Sequence, residues 1–256
     1  MPENKRRPQK QRLDMLVLKK GLAQTRSRAI SLIMAGKVLV NKMPACKPET
    51  LASSSDNIII KGNDLPYVGR GGLKLEKALK SFDICVKDYI CLDIGASTGG
   101  FTDCLLQKGA KKVFAVDVGY GQLAWKLRQD PRVIVVERTN IRYMTLDVIP
   151  VPVDLVTIDV SFISLKIVVP AVLKFIKKNG AIIALIKPQF EVEKGKTGKD
   201  GIVRDHNLHQ DVISTLTEFF IKQGLTFSPV ISSPIQGAKG NKEFLIFISS
   251  PFLNAV

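Results

Sequence analysis

The row Cys91-Leu92-Asp93-Ile94-Gly95-Ala96-Ser97-Thr98-Gly99-Gly100-Phe101-Thr102 constrains this chain more than any other stretch. A short apolar run opens into a glycine-rich turn and then into a helix-compatible segment, which is the pattern of a buried strand, a tight turn and a helix. Gly95 and Gly99 supply backbone freedom and let a ligand approach the main chain closely. A second apolar run, Lys112-Val113-Phe114-Ala115-Val116-Asp117, ends on a carboxylate. An acidic side chain at the end of that strand can accept both hydroxyls of a ribose. Together the two runs predict a nucleotide-like ligand at the carboxyl edge of a parallel sheet.

Dinucleotides and S-adenosylmethionine are both held in this way. A dinucleotide fingerprint wants G-x-G-x-x-G, so that a pyrophosphate rests on a helix N-terminus. Here Gly95 is followed by Ala96-Ser97-Thr98-Gly99-Gly100, without a G-x-G pair, and this favours the methyl donor.

Strand and helix patterns alternate beyond residue 73. Strands are expected near 89–94, 112–117, 133–137, 153–159, 181–186, 226–231 and 243–248. The predicted fold class is α/β, a seven-stranded Rossmann-like sheet with one reversed strand, preceded by a small α+β domain. The chain has 256 residues, enough for one full α/β core and a small accessory module. Residues 1–61 are assigned to a basic tail and that module, 62–72 to a turn-rich linker and 73–256 to the large domain.

Eight of the fifteen net positive charges lie in residues 1–65, a distribution that suits a polyanion. Residues 1–11 are polar, basic and proline-bearing, and are expected to be disordered. A helix from Arg12 ends at Gly21, a second from Thr25 ends at Gly36, and a strand Val38-Leu39-Val40 meets a turn at Asn41-Lys42. Arg26 and Arg28 at the start of the second helix add their charge to free amide groups and the positive end of the helix dipole, where phosphate is the expected guest.

No run of eighteen apolar residues and no secretory signal is present, so a cytoplasmic protein without membrane association is expected. The four cysteines show no C-x-x-C spacing and are read as reduced. His206 and His209 are three apart on a predicted helix, but without a third ligand they are read as ordinary surface histidines and no metal is expected.

Asp159 and Lys187 each follow an apolar strand, and Glu243 precedes one. If the last strand is the reversed one, these three converge on the ligand edge, and Lys74, on the helix before the sheet, can complete the group. A lysine between carboxylates beside a methyl-donor motif suits methyl transfer to a ribose 2′-hydroxyl, which must lose a proton as it attacks. Free lysine titrates at roughly 10.4 and needs burial or a positive neighbour to act as base; Lys187 is assigned that role, with Lys74 as the neighbour. Amine methylation is disfavoured because Asp159-Val160-Ser161-Phe162 lacks a proline pair, and attack through cysteine is disfavoured because no cysteine follows residue 104.

Residues 13–61 resemble the RNA-binding domain named after ribosomal protein S-four, through Arg12-Leu13-Asp14, Ser27-Arg28 and Gly36-Lys37-Val38-Leu39-Val40-Asn41. The wider chain, from Arg12 to Ser249, resembles the TlyA group of haemolysin-named ribosomal RNA 2′-O-methyltransferases, whose catalytic domain is FtsJ-like. The resemblance rests on Tyr67-Val68-Gly69-Arg70-Gly71-Gly72-Leu73-Lys74-Leu75, the Asp93–Thr102 row, Val118-Gly119-Tyr120-Gly121-Gln122-Leu123, Asp159-Val160-Ser161-Phe162-Ile163-Ser164-Leu165, Ile186-Lys187-Pro188-Gln189-Phe190-Glu191 and Gly237-Ala238-Lys239-Gly240-Asn241-Lys242-Glu243-Phe244.

The resemblance implies a catalytic set of Lys74, Asp159, Lys187 and Glu243. It also implies S-adenosylmethionine contacts at Asp93, Gly95, Ala96, Ser97, Thr98, Gly99, Gly100, Phe101, Asp117, Asn140 and Asp159. Candidate RNA contacts are Arg6, Arg7, Arg12, Arg26, Arg28, Lys42 and, in the linker, Arg70. The implied substrate is a cytidine ribose in ribosomal RNA, presented by ribosomal subunits, to an enzyme expected to be monomeric with oligomers left open. Two departures stand out: Gly69 replaces a usual serine and is expected to loosen the linker, and Ala124 replaces a frequent aspartate. A membrane-active haemolysin and a catalytically inert RNA-binding protein remain as alternatives.

Overall fold

The structure, a computed structural model, describes residues 10–249 except 24, 62–65, 194, 196, 199, 238 and 239. The chain forms two compact units, Met1–Leu65 and Pro66–Val256.

In the first unit, β1 (Lys10–Arg12) pairs antiparallel with β4 (Leu51–Ser53), and α1 (Leu13–Lys19) and α2 (Arg26–Met34) pack together. A separate three-stranded sheet holds β2 (Val38–Val40), β3 (Met43–Ala45) and β5 (Ile58–Ile60) in the order β3-β2-β5. Asn41 and Lys42 take φ values of 50° and 71°, the left-handed pair that closes a tight β2–β3 hairpin. Leu13, Leu16, Val17, Ala29, Leu32, Ile33 and Val38 form this unit's own core. Lys10 and Gln11, expected in a disordered tail, are strand residues here because the β4 backbone offers them hydrogen-bonding partners. Residues 1–9, with Arg6 and Arg7, lie outside the described residues.

The second unit opens with α3 (Gly71–Ser81), followed by β6 (Ile90–Ile94), α4 (Gly100–Gln107), β7 (Lys112–Val116), α5 (Trp125–Arg128), β8 (Val133–Val136), β9 (Val153–Ile158), α6 (Leu165–Val172), β10 (Ile176–Ile186), α7 (Pro188–Glu191), α8 (His206–Lys222), β11 (Thr226–Phe227), β12 (Ile231–Ser232) and β13 (Phe244–Ser249). The sheet runs β11-β13-β10-β9-β6-β7-β8, with β12 beside β13. Strands β6 to β10 are parallel, and β13 is antiparallel to β10. The expected sixth strand, 226–231, is instead two short pieces. Pro229 between them has no N–H for the ladder, and the pairing slips from Phe227↔Ile248 to Ile231↔Leu245, leaving one extra residue on that strand.

Side chains alternate across the sheet with period two. Leu92, Ile94, Val156, Ile158, Ile182 and Ala184 face α6 and α8, where they meet Val168, Val172, Leu216 and Phe220. Cys91, Val113, Ala115, Leu155, Ile183 and Leu185 face α3 and α4, where they meet Leu75, Ala78, Phe101 and Leu105. Each buried Val, Leu, Ile or Phe among these contributes about 1.5–3 kcal/mol. Helices on both faces leave the carboxyl edge of the parallel strands as the open rim.

The segment expected as linker is built into this unit from Tyr67 onward. Tyr67 is buried and Val68 N–H donates to Asp103 Oδ2 at 2.8 Å. Gly69, expected to loosen the chain, is close-packed: a Cβ there would stand 2.6 Å from Thr98 Oγ1. A serine at this point would press on the glycine turn.

Candidate functional site

Strand register assembles the site. Ile94 of β6 pairs with Ile158 of β9, so Gly95 and Asp159 leave the sheet side by side at the switch point of the sheet. Ile186 of β10 pairs with Phe244 of β13, so Lys187 and Glu243 leave at the same edge from opposite chain directions. Lys74 arrives from α3.

These four polar groups form one alternating ladder. Lys74 Nζ donates to Glu243 Oε2 at 2.6 Å and stands 4.0 Å from Asp159 Oδ2, while Lys187 Nζ lies 2.6 Å from Asp159 Oδ1. Lys187 Nζ also donates to Ser161 Oγ at 3.2 Å. Two ammonium groups and two carboxylates balance, which lets all four sit 20% exposed or less. Removing one member would leave an uncompensated charge in poorly hydrated surroundings.

The glycine turn forms the adjoining wall. Gly95 has φ of +83° and a Cβ there would lie 2.4 Å from the Asp159 carbonyl oxygen, so only glycine permits the two strand ends to meet. Gly99, at φ +96°, would drive a Cβ to within 2.2 Å of Leu127. Gly95, Ala96, Ser97, Thr98, Gly100 and Phe101 line a cavity of about 750 Å³ together with the four charged residues, Ser161, Phe162, Gln189, Phe190, Gln236 and Gly237.

Asp93 lies behind this wall rather than on it. Its carboxylate is fully buried and accepts from Thr102 Oγ1 at 2.6 Å and Thr157 Oγ1 at 2.9 Å, tying β6 to α4 and β9. Burial pushes its pKa up to about 6, against the opposing pull of the two hydroxyl donors. A folded-state value above the ordinary 3.8 means that the fold favours the protonated acid, so this group's stability contribution is full below about pH 4 and is lost as pH rises through about 6. The difference in unfolding free energy between wild type and Asp93→Asn is expected to change across pH 4 to 6 by on the order of 3 kcal/mol. Urea titrations at a series of pH values check this; a flat difference would contradict it.

Asp117 directly follows β7 and holds the turn, accepting from Ser97 N at 2.7 Å and Gly119 N at 2.7 Å through separate oxygens. Asn140 caps a short 3₁₀ turn by accepting from Arg142 N. Both lie beyond the residues that line the cavity.

The basic candidates divide. Asp14 is fully buried and takes both Arg12 and Arg26, at 3.1 Å and 3.0 Å. The Arg12 guanidinium, then that of Arg26, hold the Asp14 carboxyl below its ordinary range. These two arginines therefore brace the small domain while about half of each side chain stays exposed. Arg28 N–H bonds the Thr25 hydroxyl that caps α2, and Lys42 sits exposed in the hairpin turn. Arg70 lines the candidate cleft, where its Nη2 donates to the Gln236 carbonyl at 2.8 Å.

Several cleft residues had not been singled out from the sequence. Ser161, two positions after Asp159, anchors Lys187. Phe162 is 90% exposed at φ +63°, with its ring 4.9 Å from that of Phe190. Gly237 has no room for a side chain, since a Cβ would stand 2.1 Å from Glu243 Oε1. Gly237→Ala is expected to push Glu243 off Lys74 and lower kcat about 10²-fold with the fold retained, because a misplacement of order 1 Å costs that much. Circular dichroism beside turnover measurements checks it, and wild-type turnover would contradict it. His209, read as a surface residue, is instead 1% exposed, with Nε2 donating to the Val203 carbonyl at 2.9 Å.

Residues 67–249 match the FtsJ-like methyltransferase family and residues 11–58 match the S4 domain. The Mycobacterium tuberculosis 16S/23S rRNA (cytidine-2′-O)-methyltransferase TlyA is 44% identical over 93% of this chain and 89% of its own length. The chain belongs to the TlyA family. Another relative, YqxC of Bacillus subtilis, which carries an rRNA methyltransferase name, is 50% identical over 94% of this chain and 86% of its own. A solved chain from Streptococcus thermophilus with a hemolysin name superimposes with a TM-score of 0.73 at 46% identity, covering 94% of this chain and 90% of that one. The TlyA architecture thus accounts for both units, and no helix among the described residues is long and apolar enough to cross a membrane.

Proposed function

We propose that this TlyA-family enzyme uses S-adenosylmethionine to methylate the 2′-hydroxyl of a cytidine in ribosomal RNA, with Lys187 as the base. The observation that carries the reading is the Glu243–Lys74–Asp159–Lys187 ladder standing beside the Gly95–Phe101 turn.

The residues suit the donor. Asp117 spends one lone pair of each oxygen on Ser97 and Gly119, which leaves the others free for ribose hydroxyls. The Gly95–Phe101 turn offers backbone at close range, and Asn140 lies at the edge expected to meet the adenine. When bound, S-adenosylmethionine would supply an electrophilic methyl group, its sulfonium–carbon bond breaking to leave a neutral thioether.

The chain's own groups manage the proton. Lys187, once its ammonium has given a proton to solvent, accepts the proton of the ribose 2′-hydroxyl as that oxygen forms its bond to the methyl carbon. Asp159 holds the resulting ammonium through the 2.6 Å contact already present. Lys74, fixed by Glu243, keeps the Asp159 carboxylate oriented between the two amines. Phe162 and Phe190 offer an aromatic face on which a base drawn out of its stack can rest.

The test is transfer of labelled methyl to small subunits, large subunits and free ribosomal RNA. Label in the RNA of at least one assembled subunit is expected. Donor binding without label in any RNA would contradict the reading.

A further inference from the structure

A second cavity, of about 300 Å³, opens next to the catalytic cleft. Its walls are fixed by two buried polar residues. Asn241, 3% exposed, accepts from Val203 N at 3.0 Å and donates to the Gly201 carbonyl at 3.2 Å. His209 holds the Val203 carbonyl from the other side at 2.9 Å. Val203 thus has both its N–H and its carbonyl clamped. The residue following each clamped partner is a cation: Arg204 after Val203, and Lys242 after Asn241. Both line this cavity.

The two cations are poorly neutralised. Among the described residues Arg204 has one ion pair, with Asp200 at 3.8 Å and both side chains about two-thirds exposed, and Lys242 has none. Like charges facing one cavity repel, and an anion placed between them converts that repulsion into attraction. Gln236 lines both cavities, and Arg70 grips its carbonyl, so the basic cavity lies one residue away from the cleft. A ribose methylated within an RNA strand brings a phosphodiester with it on either side.

We infer that Arg204 and Lys242 form a subsite for an RNA phosphodiester adjoining the target nucleotide, an inference that rests on the RNA-methyltransferase reading above. Arg204 supplies the planar fork that matches phosphate oxygens, and Lys242 supplies a point charge. The subsite fixes the strand's register against Lys187, and it acts through substrate binding rather than through the donor.

The test uses the full-length protein with Arg204→Glu, Lys242→Glu and the neutral Arg204→Gln and Lys242→Gln. Two quantities are read: kcat/KM for labelled methyl transfer to ribosomal subunits, and binding of the same RNA without donor, over a range of salt concentrations. Each Glu variant is expected to lower kcat/KM at least tenfold through KM, with the Gln variants in between and S-adenosylmethionine affinity unchanged. The logarithmic salt dependence of RNA binding should flatten by roughly 0.7 per lost contact. Wild-type RNA affinity and salt slope in the Glu variants, or equal losses for Gln and Glu, would overturn the subsite. A wild-type protein that transfers no methyl to RNA defeats the functional reading instead, and the binding arm still decides the subsite.

Discussion

Lys187→Ala is expected to lower kcat for methyl transfer by roughly 10²–10⁴-fold, the range for losing a positioned general base, while donor and RNA affinities stay within about twofold. The alanine removes the group that takes the ribose proton and leaves two carboxylates, Asp159 and Glu243, to share Lys74. Lys187→Arg should not restore turnover. A guanidinium keeps the positive charge beside Asp159 but has no lone pair with which to accept a proton. Arginine-level rescue would mean that Lys187 acts as a fixed charge and not as a base. Single-turnover kinetics at saturating RNA, alongside calorimetric donor binding, separate these outcomes.

The second large effect is expected from removing residues 1–65. The two units have separate cores, so the remaining chain keeps its sheet, its glycine turn and its charged ladder. Donor affinity should stay within about twofold, while kcat/KM for ribosomal subunits falls by roughly 10²–10⁴-fold, the gain that a tethered second binding module supplies. An enzyme that methylates subunits as well without those residues would show that the basic module does not guide it to RNA. The loss should shrink in high salt, where phosphate contacts contribute less to the intact enzyme.

The meeting of the four candidate residues at one sheet edge was largely legible in the sequence, for a topological reason. Asp159, Lys187 and Glu243 are polar residues at the ends of apolar runs, and one reversed strand is enough to bring them to the same edge, as the Ile186↔Phe244 register does. The glycine turn was legible because Gly95 answers a steric demand from the Asp159 backbone.

What escaped were burial decisions made by partners distant in sequence. Asp14 looked like part of a motif, yet an aspartate on the apolar face of α1 requires cations, and it draws Arg12 and Arg26 into the framework. His209 falls three, seven and eleven residues before Val212, Leu216 and Phe220, on the buried stripe of α8, and its position in that stripe outweighed its polarity. Residues 67–72 read as turn-rich linker because glycines and an arginine dominate them. Their packing depends on Thr98, Asp103 and Phe101, which no local pattern names. Pro229 was visible, but the one-residue slip against β13 around it depends on a partner strand further along the chain.

The most direct test of the central claim is to map the labelled methyl group in ribosomal RNA after single-turnover reactions with wild type and Lys187→Ala. Label on a cytidine 2′-oxygen is expected with wild type and almost none with the variant. Label on a base, or ribose label at wild-type rate in the variant, would contradict it.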